Sequence, residues 1–218
     1  YNLIMSVKSK VNNIFKVLKE KNPNPKTELE YSSVFTLLVA VVLSAQSTDK
    51  GVNAVTRKLF KEANTPQKMV ELGEKKIKKL ISRIGLFNTK SKNVFLLSKI
   101  LIEKFSGEVP PDRDCLVKLP GVGRKTANVV LNTFFNKPYI AVDTHLFRLG
   151  NRIGIAKGKT TLDVENNYLK IIPKWAMKNA HHWLILHGRY VCKARNPLCN
   201  ECGISKFCEF FKKEKIYE

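Results

Sequence analysis

Two stretches of this chain carry residues whose types and spacing could do chemistry. The first is Leu119-Pro120-Gly121-Val122-Gly123-Arg124-Lys125-Thr126-Ala127-Asn128-Val129-Val130. It reads as a tight turn between two helices, with a lysine on the first turn of the second. Pro120 ends the preceding helix because its ring clashes with the last turn. Gly121 and Gly123 open backbone conformations closed to other residues and let the main chain approach a bulky partner. Amides at the following helix start point outward, and Arg124 and Lys125 add positive charge there, so the turn suits a phosphate. The glycines alone would suit an ordinary helix-to-helix turn, and their spacing matches neither a dinucleotide fingerprint nor a nucleotide P-loop. Lys125 admits two roles. Phosphate contact is the default for a lysine after an arginine. Nucleophilic attack needs the free amine, and the positive end of the helix dipole together with Arg124 would lower the lysine pKa; burial in a cleft would lower it further.

The second stretch is Cys192-x6-Cys199-x2-Cys202-x5-Cys208, four thiols in one short loop. In a cytosolic chain this pattern suggests metal rather than disulfides. The spacing leaves zinc, the commoner metal, and an iron–sulfur cluster both open, and it matches neither common ferredoxin pattern. The fifth cysteine, Cys115, falls on the apolar side of a short helix and reads as a small core residue.

The elements that must position these residues are all helical. Apolar spacing predicts helices over Val7 to Lys21, Val34 to Gln46, Asp49 to Glu62, Gln67 to Leu72, Glu74 to Ile84 and Asn88 to Phe105. The hairpin follows, with Asp112 capping a short first helix and Arg124 to about Phe135 forming the second. Three more helices are expected over Asp143 to Ile153, Thr161 to Ile172 and Lys174 to Val191. Tyr139 to Val142 looks extended, but no partner strand is visible, so the fold class is all-α. Leu86 and Phe87 fall on a turn closed by Gly85, where exposed apolar residues need a reason; folding back into the core suits Phe87 better than Leu86. Lys90 and Lys92, near the start of the next helix, read as solvated lysines or phosphate contacts.

Charge and composition set the class of partner. Lys and Arg number 39 against 18 Asp and Glu, a net charge of +21. Such an excess favours a polyanion or an anionic membrane surface. The longest apolar stretch, Val34 to Ala45, is too short to span a bilayer, and the N-terminus carries no secretory signal. A cytoplasmic or nucleoid-associated monomer with no membrane partner is therefore expected. Met5 offers a start that would leave Tyr1 to Ile4 outside the native chain.

Taken together, the hairpin run resembles the helix-hairpin-helix of DNA glycosylases and is similar to that of the endonuclease III family. Further matches extend over nearly all of the chain: Leu43-Ser44-Ala45-Gln46, Gly85-Leu86, Val142-Asp143-Thr144-His145, His181 to Arg189, and the four late cysteines. The resemblance implies a bifunctional DNA glycosylase and abasic-site lyase acting on double-stranded DNA with damaged pyrimidines or abasic sites. It implies Lys125 as nucleophile on C1′ of the sugar, and Asp143 as the carboxylate that stabilises the developing sugar cation. From the residues alone, Asp143 reads as the N-cap of its helix, a role compatible with catalysis. The resemblance gives Gln46 the gap left by the displaced base and Leu86 a wedge in the base stack. Gly121, Gly123 and Arg124 bind the backbone, as do Lys193 and Arg195 within the cysteine loop. It also decides the metal as a [4Fe-4S] cluster held by Cys192, Cys199, Cys202 and Cys208. His145 sits in a matched motif without an assignable chemical step. Ser47 departs from the family pattern, standing where alanine is common.

Two domains are expected, residues 27–137 with the hairpin and residues 1–26 with 138–218 holding the cluster. Lys125 and Asp143 start successive helices. In a plain antiparallel hairpin they would lie ~15–20 Å apart at ~1.5 Å per residue. The segment from Phe135 to Val142 can return that distance at ~3.3 Å per residue if extended. This places the active site in an interdomain cleft. The alternatives are a monofunctional glycosylase of the same superfamily, typically without a lysine at the position of Lys125, and a non-catalytic helix-hairpin-helix protein with a structural metal.

Overall fold

The computed structural model describes residues 6–214; Met5 and Tyr1 to Ile4, on which the start-site reading falls, lie outside the described residues. Among the described residues the regular structure is entirely helical. In chain order the α-helices are α1 (Val7–Lys21), α2 (Val34–Leu43), α3 (Asp49–Glu62), α4 (Pro66–Leu72), α5 (Glu74–Leu80) and α6 (Phe87–Phe105). They continue as α7 (Arg113–Leu116), α8 (Arg124–Thr133), α9 (Thr144–Ile153), α10 (Thr161–Ile171), α11 (Met177–Tyr190) and α12 (Glu209–Glu214). The chain divides into two compact units, residues 27–136 and residues 1–26 with 137–218.

In the unit of residues 27–136, α2 is the central element. Every residue from Phe35 to Leu43 is buried, as a helix apolar on all sides requires. Burying each such Leu or Val contributes about 1.5–3 kcal/mol. Ser33 fixes its start: the Ser33 hydroxyl accepts from the Thr36 amide at 3.1 Å, while the Ser33 amide donates back to the Thr36 hydroxyl at 2.8 Å. This reciprocal pair is a capping box with threonine in the returning position. Helix α2 packs on α3, α6 and α8, and α6 also carries α4 and α5. The helix ends at Leu43, three residues before the expected Gln46. The Ser44 hydroxyl donates to the Val41 carbonyl at 2.8 Å and Gln46 takes a left-handed φ of 53°, which closes the helix into a turn. Helix α5 likewise stops at Leu80 rather than Ile84, and residues 81–86 form turns.

The other unit is built on α9. It packs on α10, α11 and α12, while α1 packs on α10 and α11. Its core holds Phe15, Ile140, Leu146, Leu149, Tyr168 and Trp183. Both buried aromatics with polar tips are satisfied: the Tyr168 hydroxyl donates to the Leu146 carbonyl at 3.1 Å, and the Trp183 indole N–H to the Asn22 carbonyl at 2.7 Å. Residues 139–143 have no regular structure, and Ile140 to Val142 are buried. The expected last long helix begins instead with a 3-10 turn over Lys174–Ala176. Cys115 is half-buried on α7, not in the core as expected, because that helix is only one turn long and Leu116 fills the inward position.

Candidate nucleic-acid interface and cysteine loop

The hairpin turn is fixed by its neighbours. Gly121 has φ of 77°, and a Cβ there would meet Asn93 Nδ2 at 2.9 Å and Val42 Cγ1 at 3.2 Å. Both the left-handed conformation and the close approach to α2 and α6 require glycine. Gly123 has no such constraint, with nothing within 4 Å of an added Cβ. It is the N-cap of α8 and, having no side chain, supplies no cap to the first-turn amides. Gly121, Gly123, Arg124 and Lys125 are all exposed. The turn therefore presents main-chain N–H groups and two cationic side chains together, which is an anion site. Lys125 is exposed on the first turn of α8.

Asp143 is the N-cap of α9, as its sequence context suggested. One carboxylate oxygen accepts from the His145 and Leu146 amides, each at 2.9 Å. Gln46 and Leu86 both stand exposed on turns with left-handed backbones, φ 53° and 58°. Leu86 is 56% exposed, so it does not fold into the core, whereas Phe87 is half-buried with the Lys78 ammonium over its ring at 6.0 Å. Lys90 is not a solvated lysine: it is only 4% exposed and donates to the Ser47 hydroxyl at 2.9 Å. Burial holds its ammonium below the ordinary lysine range. Lys92, two residues on, is exposed.

Cys192, Cys199, Cys202 and Cys208 form no disulfide and line one pocket, walled by Val191, Leu198, Ile204 and Phe211. Burial pushes the Cys202 thiol up, and the three neighbouring cysteines add to this by repulsion between like charges. A cationic metal centre removes that repulsion, so the donor set fits one. Among the described residues no three His, Cys, Asp or Glu side chains gather closely enough for a single ion. Tetrahedral zinc would need its sulfurs about 2.3 Å from one centre. Four thiols can also hold a polynuclear iron–sulfur cluster. His187 stands beside the loop with Nε2 3.6 Å from Cys202 Sγ, and burial lowers its pKa to about 4, which keeps the ring neutral near pH 7. Lys193 and Arg195 are exposed on the loop.

Two arginines that sequence reasoning passed over hold this loop. Arg148 donates to the Cys192 carbonyl at 2.9 and 3.1 Å and to the Gly188 carbonyl at 2.7 Å. Arg152 donates to the Lys193 carbonyl at 2.7 Å and the Ala194 carbonyl at 3.0 Å. They lie one turn apart on α9, and that i,i+4 spacing was the available signal. His145 belongs to the same network: its Nδ1 is 3.2 Å from Arg148, and a Cβ on Gly188 would meet its Cβ at 2.9 Å. Glycine at 188 is thus what lets α11 approach α9, and His145 has a packing role in that contact.

An all-helical chain with an uncapped, cationic hairpin start and a four-thiol loop defines a nucleic-acid-binding protein with a metal centre. Comparison with known proteins sharpens this. Residues 39–174 match the HhH-GPD superfamily base excision DNA repair protein model, and residues 192–208 match the iron–sulfur binding domain of endonuclease III. The chain is 58% identical to endonuclease III of Rickettsia conorii over 201 residues, covering 92% of this chain and 96% of the relative. It is 55% identical to endonuclease III of Escherichia coli K12 over 199 residues, 91% and 93% of the two chains. A solved structure described as a trapped endonuclease III–DNA covalent intermediate matches with TM-score 0.89 and 42% identity, over 97% of this chain and all of that one. The chain belongs to the endonuclease III family of the HhH-GPD superfamily. It is a bifunctional DNA glycosylase and abasic-site lyase of base excision repair, and its cofactor is a [4Fe-4S] cluster.

Proposed function

We propose that the enzyme removes oxidised pyrimidines from double-stranded DNA, with Lys125 as nucleophile and Asp143 as the carboxylate acting on the same sugar. The observation that carries this reading is a side-chain amine at the second position of α8, on a helix start with no side-chain cap. In the related solved complex the protein is covalently joined to DNA; a side-chain amine is the group that can form such a bond reversibly.

The damaged nucleotide leaves the stack, since C1′ cannot be reached inside it. Gln46 fills the gap and Leu86 wedges the stack. The Lys125 amine attacks C1′, the C1′–N bond breaks, and its electron pair leaves with the base, which takes up a proton. Asp143 stabilises the positive charge developing on the sugar and assists the proton transfers. The sugar opens to an imine with Lys125. That imine acidifies the 2′ hydrogen, and loss of the proton expels the 3′ phosphate. Hydrolysis of the imine returns the free amine.

Cys192, Cys199, Cys202 and Cys208 hold the cluster, which when bound cross-links the loop carrying Lys193 and Arg195 to the backbone contact. The reading assigns a cytoplasmic, nucleoid-associated monomer; among the described residues no helix is long and apolar enough to cross a membrane. Cys202→Ser should abolish the visible absorbance of the cluster in anaerobically purified protein. Stoichiometric zinc without iron or sulfide in the unmutated protein would contradict the ligand assignment.

The substrate reading is tested with a lesion panel at one salt concentration: ring-oxidised pyrimidine, oxidised purine, alkylated adenine and a T·G mismatch. Release of the pyrimidine lesion at least tenfold faster than the others is expected. Comparable or faster release of a purine would overturn it.

A further inference from the structure

The turns carrying Gln46 and Leu86 adjoin one another: a Cβ on Gly85 would lie 3.8 Å from the Gln46 carbonyl oxygen. One residue touches both. The Lys90 backbone amide donates to the Leu86 carbonyl at 3.0 Å, and its ammonium donates to the Ser47 hydroxyl at 2.9 Å. Its side chain is buried, and the acceptor is a hydroxyl rather than a carboxylate. A buried cation with so weak a counter-group is costly in a purely structural role, where an apolar side chain of the same length would serve. Both turns also hold a non-glycine residue in the left-handed region, a conformation that persists only where surroundings enforce it.

We infer that Lys90 is a positioning residue, a brace between the two turns that fixes the spacing of Gln46 and Leu86 before DNA is engaged. The inference rests on the proposal that these two residues fill and wedge the base stack. Rigid spacing lowers the ordering cost of inserting both side chains at once, so the brace acts on base extrusion and not on sugar chemistry. Lys90 itself touches no reacting atom.

The experiment measures single-turnover lesion release from paired duplex and from the same lesion in an unpaired bubble, for Ser47→Ala, Lys90→Met and the double variant. Gln46→Ala and Leu86→Ala run alongside. Each single variant should lose about five- to tenfold on paired DNA and less than twofold in the bubble. The double variant should lose no more than the worse single one, since both remove the same contact. Ser47→Ala keeps the Lys90 side chain and removes only its acceptor, whereas Lys90→Met removes the donor, so the two single variants break the contact from opposite sides. Equal losses on both substrates, no loss on paired DNA, or losses that multiply in the double variant would each overturn the brace. If Gln46→Ala and Leu86→Ala show no preference for the paired substrate, the underlying assignment of the two turns fails instead.

Discussion

Helices α8 and α9 have the same length, ten residues each, and opposite starts. At α9 the Asp143 carboxylate accepts from two first-turn amides, so the helix start is closed by the chain itself. At α8 the N-cap is Gly123, which has no side chain to offer the amides. The contrast is not a general habit: α1, α2, α3, α4, α7 and α10 are all capped by Ser, Thr or Asp side chains. Helix α6, whose N-cap is the exposed Leu86, lacks a side-chain cap like α8, and so do α5 after Gly73 and α11 after Ala176. Relative to Ser, Thr or Asp, leaving out the cap costs about 1 kcal/mol with an apolar residue in place and only about a few tenths with glycine. Two of these four starts, those of α6 and α8, lie at places proposed to meet DNA, where a phosphate or a distorted duplex would take the position of the missing side chain.

The comparison can be broken from either side. Asp143→Asn keeps an oxygen for the cap but removes the charge. Lesion release should fall about 10²- to 10³-fold with little change in thermal stability, and some imine should still be trapped on preformed abasic DNA. Wild-type release would show that Asp143 only caps its helix. Gly123→Asp does the reverse and gives α8 the start that α9 has. The backbone there, φ −88° and ψ 177°, suits a cap, and an added Cβ meets nothing. Stability should rise by a few tenths of a kcal/mol while DNA affinity drops about tenfold, because the new carboxylate occupies the amides and repels phosphate. A variant that gains stability and keeps full affinity would show that the open amides are not a DNA contact. The smallest effect concerns a contact that uses no helix start. Arg195→Ala should make the slope of log affinity against log salt shallower by about 0.9, one phosphate contact. An unchanged slope would remove the cysteine loop from the interface.

Most of this was legible in the sequence because it depended on local rules. Helices α1 and α3 begin and end where their caps and breakers stand, and the all-helical class followed from periodicity. The misses came from side chains that act across the chain. Nothing in the run Ser44 to Gln46 announces that the Ser44 hydroxyl will bond back to Val41 and end α2 early. Lys90 looked solvated because its acceptor, Ser47, is 43 positions away and only the folded chain brings the two together. Arg148 and Arg152 were readable as an i,i+4 pair, but their targets, carbonyls of residues 188 to 194, emerge only when α11 returns against α9. The positions proposed to bear chemistry were named from sequence: the four cysteines from their spacing, Lys125 from its place on the hairpin helix, and the role of Asp143 through the family resemblance.

The central claim is that the amine at the open start of α8 forms the covalent bond to DNA. It is tested most directly by borohydride trapping on abasic duplex with Lys125→Gln. The amides and surrounding cations supply backbone affinity, and only the amine can form the imine. The account predicts no trapped adduct and loss of strand cleavage, with DNA affinity within about threefold of the unmutated protein. A Lys125→Gln enzyme that still traps on abasic DNA and cleaves it at the normal rate would contradict it.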